Sequence, residues 1–178
     1  MFPVNIIHGK AEQLRLDYLV IGGQAFNTFG EPRTTLDVDF LIRKQSRDAW
    51  IRLLDAEGFK LANDGGNFLQ FSPPYGVDWN LDLMLVNDST FDKLFNTARQ
   101  VTMLGVATKV PSAENLVRLK LHALKFGPEH RRSQDLADVV SLVRIAKIDV
   151  RTEGFRKLIE EHGTPEIYSR ILEGNPAQ

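Results

Sequence analysis

Three aspartates and two glycines are the residues of this chain whose types and spacing could do chemistry. Asp37 and Asp39 stand two apart in Asp37-Val38-Asp39-Phe40-Leu41-Ile42-Arg43, which begins in alternation and turns apolar. On a strand, residues two apart project to one face. Two carboxylates held that close destabilise a fold unless something neutralises them. A divalent cation does so, and oxygen ligands select Mg²⁺, or Mn²⁺, over softer metals. Asp82 lies between Leu81 and Leu83 in a second alternating stretch, 77–86. If that strand pairs beside the first, a third carboxylate joins the patch. Three carboxylates can hold two cations roughly 3.5–4 Å apart, the clamp used in phosphoryl transfer. Asp78 competes with Asp82 here, because it is flanked by Val77 and Trp79 and faces the same side.

The glycines have a matching rationale. Asp17 to Ile21 reads as a short buried strand, and Gly22-Gly23 follows it directly. A strand, a glycine turn and a helix present backbone N–H groups to an anion. Glycine lets a phosphate come close, although Gly22-Gly23 also suits a plain tight turn. Arg33 could hold a phosphate or pair with Glu31 or Asp37.

The elements that must position these residues can be read in outline. Expected strands are 17–21, 37–43, 68–72 and 77–86, with 101–104 and 107–110 forming a hairpin or one bent strand about Gly105. Helices are expected at 24–29, at 46–57 with Ser46 as N-cap and Gly58 at C′, at 114–125, 134–147 and 152–161, and after Thr164-Pro165. The helix at 114–125 should end at Phe126-Gly127-Pro128. Trp50, Leu53 and Leu54 form the buried stripe of the second helix. Gly65-Gly66 marks a loop. Strands dominate to about residue 110 and helices follow, which is an α+β arrangement. Residues 1–110 form the core and 111–178 a C-terminal helical segment, expected to pack on it as one unit.

Here the pattern becomes specific. Apolar-Gly22-Gly23, then Asp37-Val38-Asp39-Phe40, then a distant Leu81-Asp82-Leu83 resembles the nucleotidyltransferase superfamily related to DNA polymerase β. Gly22-Gly23-Gln24-Ala25 with Arg33-Thr34-Thr35-Leu36-Asp37 looks most like its small bacterial AbiEii-like toxin group. Arg131-Arg132-Ser133-Gln134-Asp135-Leu136-Ala137-Asp138 resembles a further stretch of that group, with Gln134 in place of lysine. The resemblance covers about residues 16–146.

It implies a nucleotidyltransferase-type fold: a short mixed sheet with helices on one face and a C-terminal helical segment. It implies Mg²⁺ on Asp37, Asp39 and Asp82, and an NTP held by Gly22, Gly23 and Gln24, with Arg33, Lys120 and Asp135 assisting. Gln24 stands where many members carry serine, and its amide can still donate. The implied activity is transfer of a nucleoside monophosphate from an NTP to a hydroxyl of RNA, protein or a small molecule, in a toxin with an antitoxin partner. The rival readings are a silent nucleotide- or partner-binding protein of the same fold and a metal-dependent phosphodiesterase.

Composition narrows the classes further. The 178 residues contain no cysteine, so thiol chemistry, disulfides and Cys-based metal sites are excluded. The four histidines are scattered without zinc-ligand spacing. No apolar run approaches the 20 or so residues of a membrane span, and Met1-Phe2-Pro3-Val4 does not open a secretory signal; a cytoplasmic protein is expected. The formal net charge is −1, which argues against wholesale coating of nucleic acid. By position it divides: residues 77–92 hold four acids and no base, while 118–132 hold five bases and one acid. Those two segments are the expected walls for a magnesium-bound triphosphate.

Overall fold

A computed structural model describes residues 2–127 and 129–175. The chain divides into two compact units. The first comprises Met1–Thr28 and Arg33–Ser112, the second Phe29–Pro32 and Ala113–Gln178.

The first unit is built on a five-stranded mixed sheet. Its strands are β1 (Tyr18–Ile21), β2 (Asp37–Arg43), β3 (Lys60–Asp64), β4 (Phe68–Ser72) and β5 (Asn80–Val86), in the order β1-β2-β5-β4-β3. β2 and β5 run parallel in the middle, and the other neighbours are antiparallel. A parallel pair needs a crossover. Here the chain leaves β2 through α3 (Arg47–Ala56) and the β3–β4 hairpin before returning as β5. β2 is buried at five of its seven residues and β5 at four of its seven. One sheet face carries Tyr18, Phe40 and, from α3, Trp50. The Tyr18 and Phe40 rings stack with centroids 4.4 Å apart, and Trp50 meets Phe40 edge-on at 6.0 Å. Two further strands, β6 (Arg99–Met103) and β7 (Val106–Val110), form a separate hairpin, so the Gly105 stretch turns rather than bends.

Several elements differ from their sequence reading. α1 (Pro3–Gln13) carries a signal that strand patterns mask: Pro3 stands at N1, and Val4, Ile7 and Ala11 are buried at helical spacing. α2 (Gly22–Asn27) begins at the glycines, two residues early. α4 (Asp88–Asn96) starts at Asn87, whose side chain accepts from the Thr90 amide, a cap written in the sequence. β3 has no apolar alternation because all five of its residues are exposed; pairing to β4 makes it a strand. Gly65-Gly66 is the turn of that hairpin, with Gly66 at φ +80°. Ser46 does not cap α3. The helix is entered through a 3₁₀ turn (Lys44–Ser46), which leaves Ser46 at φ −91°, ψ 5° rather than in the extended backbone of a cap, and its hydroxyl donates to the Arg43 carbonyl.

The second unit is helical: α5 (Ala113–Phe126), α6 (Arg132–Ile145), α7 (Glu153–His162) and α8 (Pro165–Gly174). Thr164 caps α8 through the Ile167 amide with Pro165 behind it, as its sequence requires. The expected stop of α5 at Phe126-Gly127-Pro128 falls partly outside the described residues, at Pro128. His162 ends α7. Burial pushes its imidazole below the ordinary value of 6.5; Glu161 opposes this, and Arg118, His122 and Lys125 add to it. The unfolded chain therefore binds more protons than the folded one as pH falls through 6.5. Stability should drop over that window and stop changing below the folded pKa. Denaturant titrations at successive pH values should show this slope in the native chain and a weaker one in His162→Gln.

Candidate active site

Register decides which carboxylates meet. In the parallel pair, Asp39 lies directly beside Asp82, and Asp37 beside Asn80. Residues opposite each other share a face, so Asp37, Asp39 and Asp82 all project from one side of the sheet. Asp78 precedes β5 and is exposed, so Asp82 is the acid that joins Asp39. Asp39 and Asp82 are 7% and 4% exposed, unusual for acids. Asp37 is half-buried, and its Oδ1 accepts from Asn80 Nδ2 at 3.5 Å.

The glycine turn packs against this acid row. Ile21, the last residue of β1, is the register partner of Asp39, so the chain enters α2 beside the carboxylate. Gly22 has φ +64°, a left-handed conformation suited to glycine. A Cβ on Gly22 would sit 2.0 Å from Asp39 Oδ2, and one on Gly23 would sit 2.8 Å from Thr35 Oγ1. Two bare backbones thus lie where side chains would collide with the acid and its approach loop. No side-chain cap bonds the start of α2 at Ile21. Gln24, the next residue, is half-buried. Arg33 is held by its backbone: its N–H and C=O both bond the Asn27 side chain at 2.9 Å, and its guanidinium lies 5.7 Å from the Phe26 ring.

The donor set is carboxylate oxygen, which suits Mg²⁺ or Mn²⁺, and the cradle that Gly22 leaves open is filled by the Asp39 carboxylate. Among the described residues, no three acidic, histidine or cysteine side chains already stand together as a metal-holding group. Asp39 and Asp82 stand side by side on β2 and β5, and Asp37 sits on the same face with its carboxylate towards Asn80.

Lys120 and Asp135 belong to the helical unit and meet each other. Lys120, on α5, is 4% exposed. Its Nζ lies 2.8 Å from Asp135 Oδ1 and 2.6 Å from Asp138 Oδ2, both on α6. Gln134 Nε2 adds a hydrogen bond to Asp138 Oδ1 at 3.0 Å. The basic segment 118–132 is thus partly consumed internally. Besides Lys120, Arg118 lies 3.7 Å from Glu161, and Lys125 donates to the Glu161 carbonyl.

Gln70, which the sequence does not single out, lies on β4. It is the register partner of Asp82 on β4 and therefore shares the acid face. The signal was a single amide in an otherwise apolar strand, Phe68-Leu69-Gln70-Phe71.

Gly22→Ala should expose the coupling between turn and acid. Left-handed backbone costs alanine about 1 kcal/mol. The collision with Asp39 comes on top, and a displacement of about 1 Å at a reaction centre is worth about 10²-fold in rate. Gly105→Ala is the control: φ is +86° and nothing lies within 4 Å of its Cβ, so it should lose similar stability in thermal melts without the rate loss.

The mixed sheet, with paired acids on its central parallel strands and a glycine turn beside them, is a nucleotidyltransferase fold. Solved structures similar to the chain bear this out. One, from Paracoccidioides brasiliensis, is described as an antigenic nucleotidyltransferase-like protein; it is 19% identical, with a TM-score of 0.56, 94% of this chain covered and 89% of that one. The antibiotic-resistance factor ANT(2'')-Ia gives 14% identity and a TM-score of 0.64, covering 89% and 88%. The lincosamide antibiotic adenylyltransferase LnuA, solved with lincomycin bound, gives 16% and 0.56, covering 80% and 95%. No protein-family model matches the chain. No curated protein matches it either. Among the described residues, no helix is long and apolar enough to cross a membrane.

Proposed function

We propose that the protein is a nucleotidyltransferase that moves a nucleoside monophosphate from an NTP to an acceptor hydroxyl. The observation that carries this reading is the in-register pairing of two buried aspartates, Asp39 and Asp82, against the Gly22 turn. Carboxylates are rarely buried side by side unless a cation joins them.

In this reading Asp39 and Asp82, with Asp37 turning in from the same face, hold Mg²⁺. The ion would neutralise phosphate charge and polarise the α-phosphoryl group. Backbone N–H groups of Gly22, Gly23 and Gln24 receive the triphosphate at the uncapped start of α2, and Arg33 stands on the approach loop. The acceptor oxygen attacks the α-phosphorus and a new P–O bond forms. The bond from that phosphorus to the bridging oxygen breaks, and pyrophosphate leaves with its electron pair. The Asp82 carboxylate takes the hydroxyl proton. Lys120 and Asp135 are assigned to the helical unit's own stability, since the ammonium is buried between two carboxylates. The likeness of residues 16–146 to AbiEii-like toxins supports a role as the toxin of a toxin–antitoxin pair, acting in the cytoplasm.

The test is a screen of the four α-labelled NTPs with Mg²⁺ against total RNA and cell protein on one gel. A labelled band of undiminished size supports transfer. Bound NTP without product assigns the chain to the silent binding class, which Gln24 in place of a hydroxyl residue would favour. Shortened RNA marks a phosphodiesterase.

A further inference from the structure

The first unit has a second concave feature, away from its acids. Asp39 and Phe40 are neighbours on β2 and so project to opposite faces of the sheet. Tyr18 stacks on Phe40, which sets its ring on the face away from Asp37, Asp39 and Asp82. The hydroxyl end of Tyr18 borders a cavity of about 460 Å³, walled by α1, the end of α4 and the β6–β7 hairpin. That volume is in the range of small-molecule sites.

The floor of the cavity is neutral and its hydrogen bonds are satisfied. Tyr18 is 7% exposed. The Thr108 hydroxyl donates to the Tyr18 oxygen at 3.4 Å, and that oxygen lies 3.0 Å from His8 Nδ1. With Thr108 donating, the Tyr18 proton goes to Nδ1. The bond pattern thus assigns the neutral His8 tautomer whose Nε2–H faces Glu12, 3.5 Å away. Burial pushes the Tyr18 hydroxyl above its ordinary 10.0, with Thr108 opposing, so the phenol stays uncharged at neutral pH.

The walls are charged, and the charges divide. The two acids are engaged: Glu12 faces His8, and Asp17 lies 3.8 Å from Arg43. The two cations, Arg15 and Lys109, pair with no carboxylate among the described residues. Lys109 is placed instead by an aromatic ring, its Nζ 3.8 Å from the centroid of Phe95. Arg15 follows the end of α1 with φ +55°, and its N–H bonds the Glu12 carbonyl. Glycine is the usual residue in that left-handed position; here the chain keeps a guanidinium at the mouth of the cavity.

We propose that this cavity binds the phosphomonoester of a small molecule, with Arg15 and Lys109 on the phosphate. Two unpaired cations match a dianion, whereas a carboxylate would leave one of them unmatched. The guanidinium fork takes two phosphate oxygens, and the ammonium supplies a point charge for the third. The neutral hydroxyls of the floor and the Phe95 ring leave an uncharged body for the rest of the ligand. Sugar phosphates and nucleoside monophosphates both supply that chemistry. The site needs no Mg²⁺ and does not rest on nucleotidyl transfer.

Calorimetric titration in EDTA tests it, with a hexose 6-phosphate, a nucleoside 5′-monophosphate and the two parent molecules without phosphate as probes. The native chain should bind one ester at least about tenfold more tightly than its parent, and that ester identifies the source. Lys109→Met and Arg15→Gln should each weaken its binding about tenfold, the scale of one charge-assisted hydrogen bond. Ala107, on β7, is exposed and lines the cavity. Ala107→Phe fills the space, keeps both cations and should abolish binding. Asp39→Asn should bind the ester as the native chain does. Equal binding of ester and parent by the native chain overturns the proposal. So does undiminished binding in Ala107→Phe, which marks a diffuse surface attraction. Loss in Asp39→Asn with retention in Lys109→Met places the ester on the acid face and overturns it too. Melting curves verify that each variant is folded; if Ala107→Phe is not, equal affinity in Lys109→Met and the native chain is decisive against the proposal by itself.

Discussion

Asp39→Asn should lower nucleotidyl transfer by about 10³-fold or more, the scale of removing a placed electrostatic group from a reaction centre. The substitution is nearly isosteric, so the amide still fits against Gly22, where the carboxylate now sits. What changes is charge. The variant loses one of the two buried acids that face each other across β2 and β5. Its fold should not suffer: without metal, removing one of two like charges should leave the melting temperature equal or higher. With Mg·NTP the order should reverse. The native chain should be stabilised in proportion to ligand over Kd, and Asp39→Asn should not respond. Melting curves with and without Mg·NTP, read beside the labelling gel, separate a lost site from a lost fold. A variant that melts early even without ligand would show Asp39 to be structural.

Lys120→Met should destabilise the protein by about 3–5 kcal/mol, the cost of leaving buried carboxylates without their cation. Asp135 and Asp138 are 6% and 1% exposed, and Lys120 lies within 2.8 Å of both. Removing the ammonium leaves two buried carboxylates without their cation in the α5–α6 seam. The triple variant Lys120→Met, Asp135→Asn, Asp138→Asn should recover most of the loss, because it removes the charges together. Urea denaturation measures both. At temperatures where Lys120→Met stays folded, its affinity for Mg·NTP should match the native chain. A large loss of nucleotide affinity with normal stability would return Lys120 to the nucleotide site.

The aspartates and the glycine turn were legible because they are local. Strand β2 was found at its observed bounds, since alternation followed by an apolar run is what a buried strand with one functional face looks like. The glycine turn was visible for the same reason. The sequence favours Asp82 over Asp78 although both alternate correctly, and the pairing register sets Asp82 beside Asp39. Gln70 escaped notice because only the β4–β5 register places it on the face of Asp82. β3 was invisible because an exposed edge strand owes its form to a partner, not to its own pattern. Lys120 is the opposite case, where the surroundings were not legible. Its place in a motif suggested a ligand-facing lysine, while its environment depends on how α5 meets α6. The acids that hold it, Asp135 and Asp138, sit on the face of α6 that carries Val139 and Leu142 into the core. Apolar periodicity carries no warning of such buried polar groups.

The most direct measurement compares two positions of label in one NTP. The protein is incubated with Mg²⁺, total RNA and cell protein, once with α-labelled and once with γ-labelled nucleotide. Label from the α-position should become covalently attached to the acceptor, while label from the γ-position leaves as pyrophosphate in equal amount. Attachment of the γ-label, or RNA shortened with neither label transferred, would contradict the account.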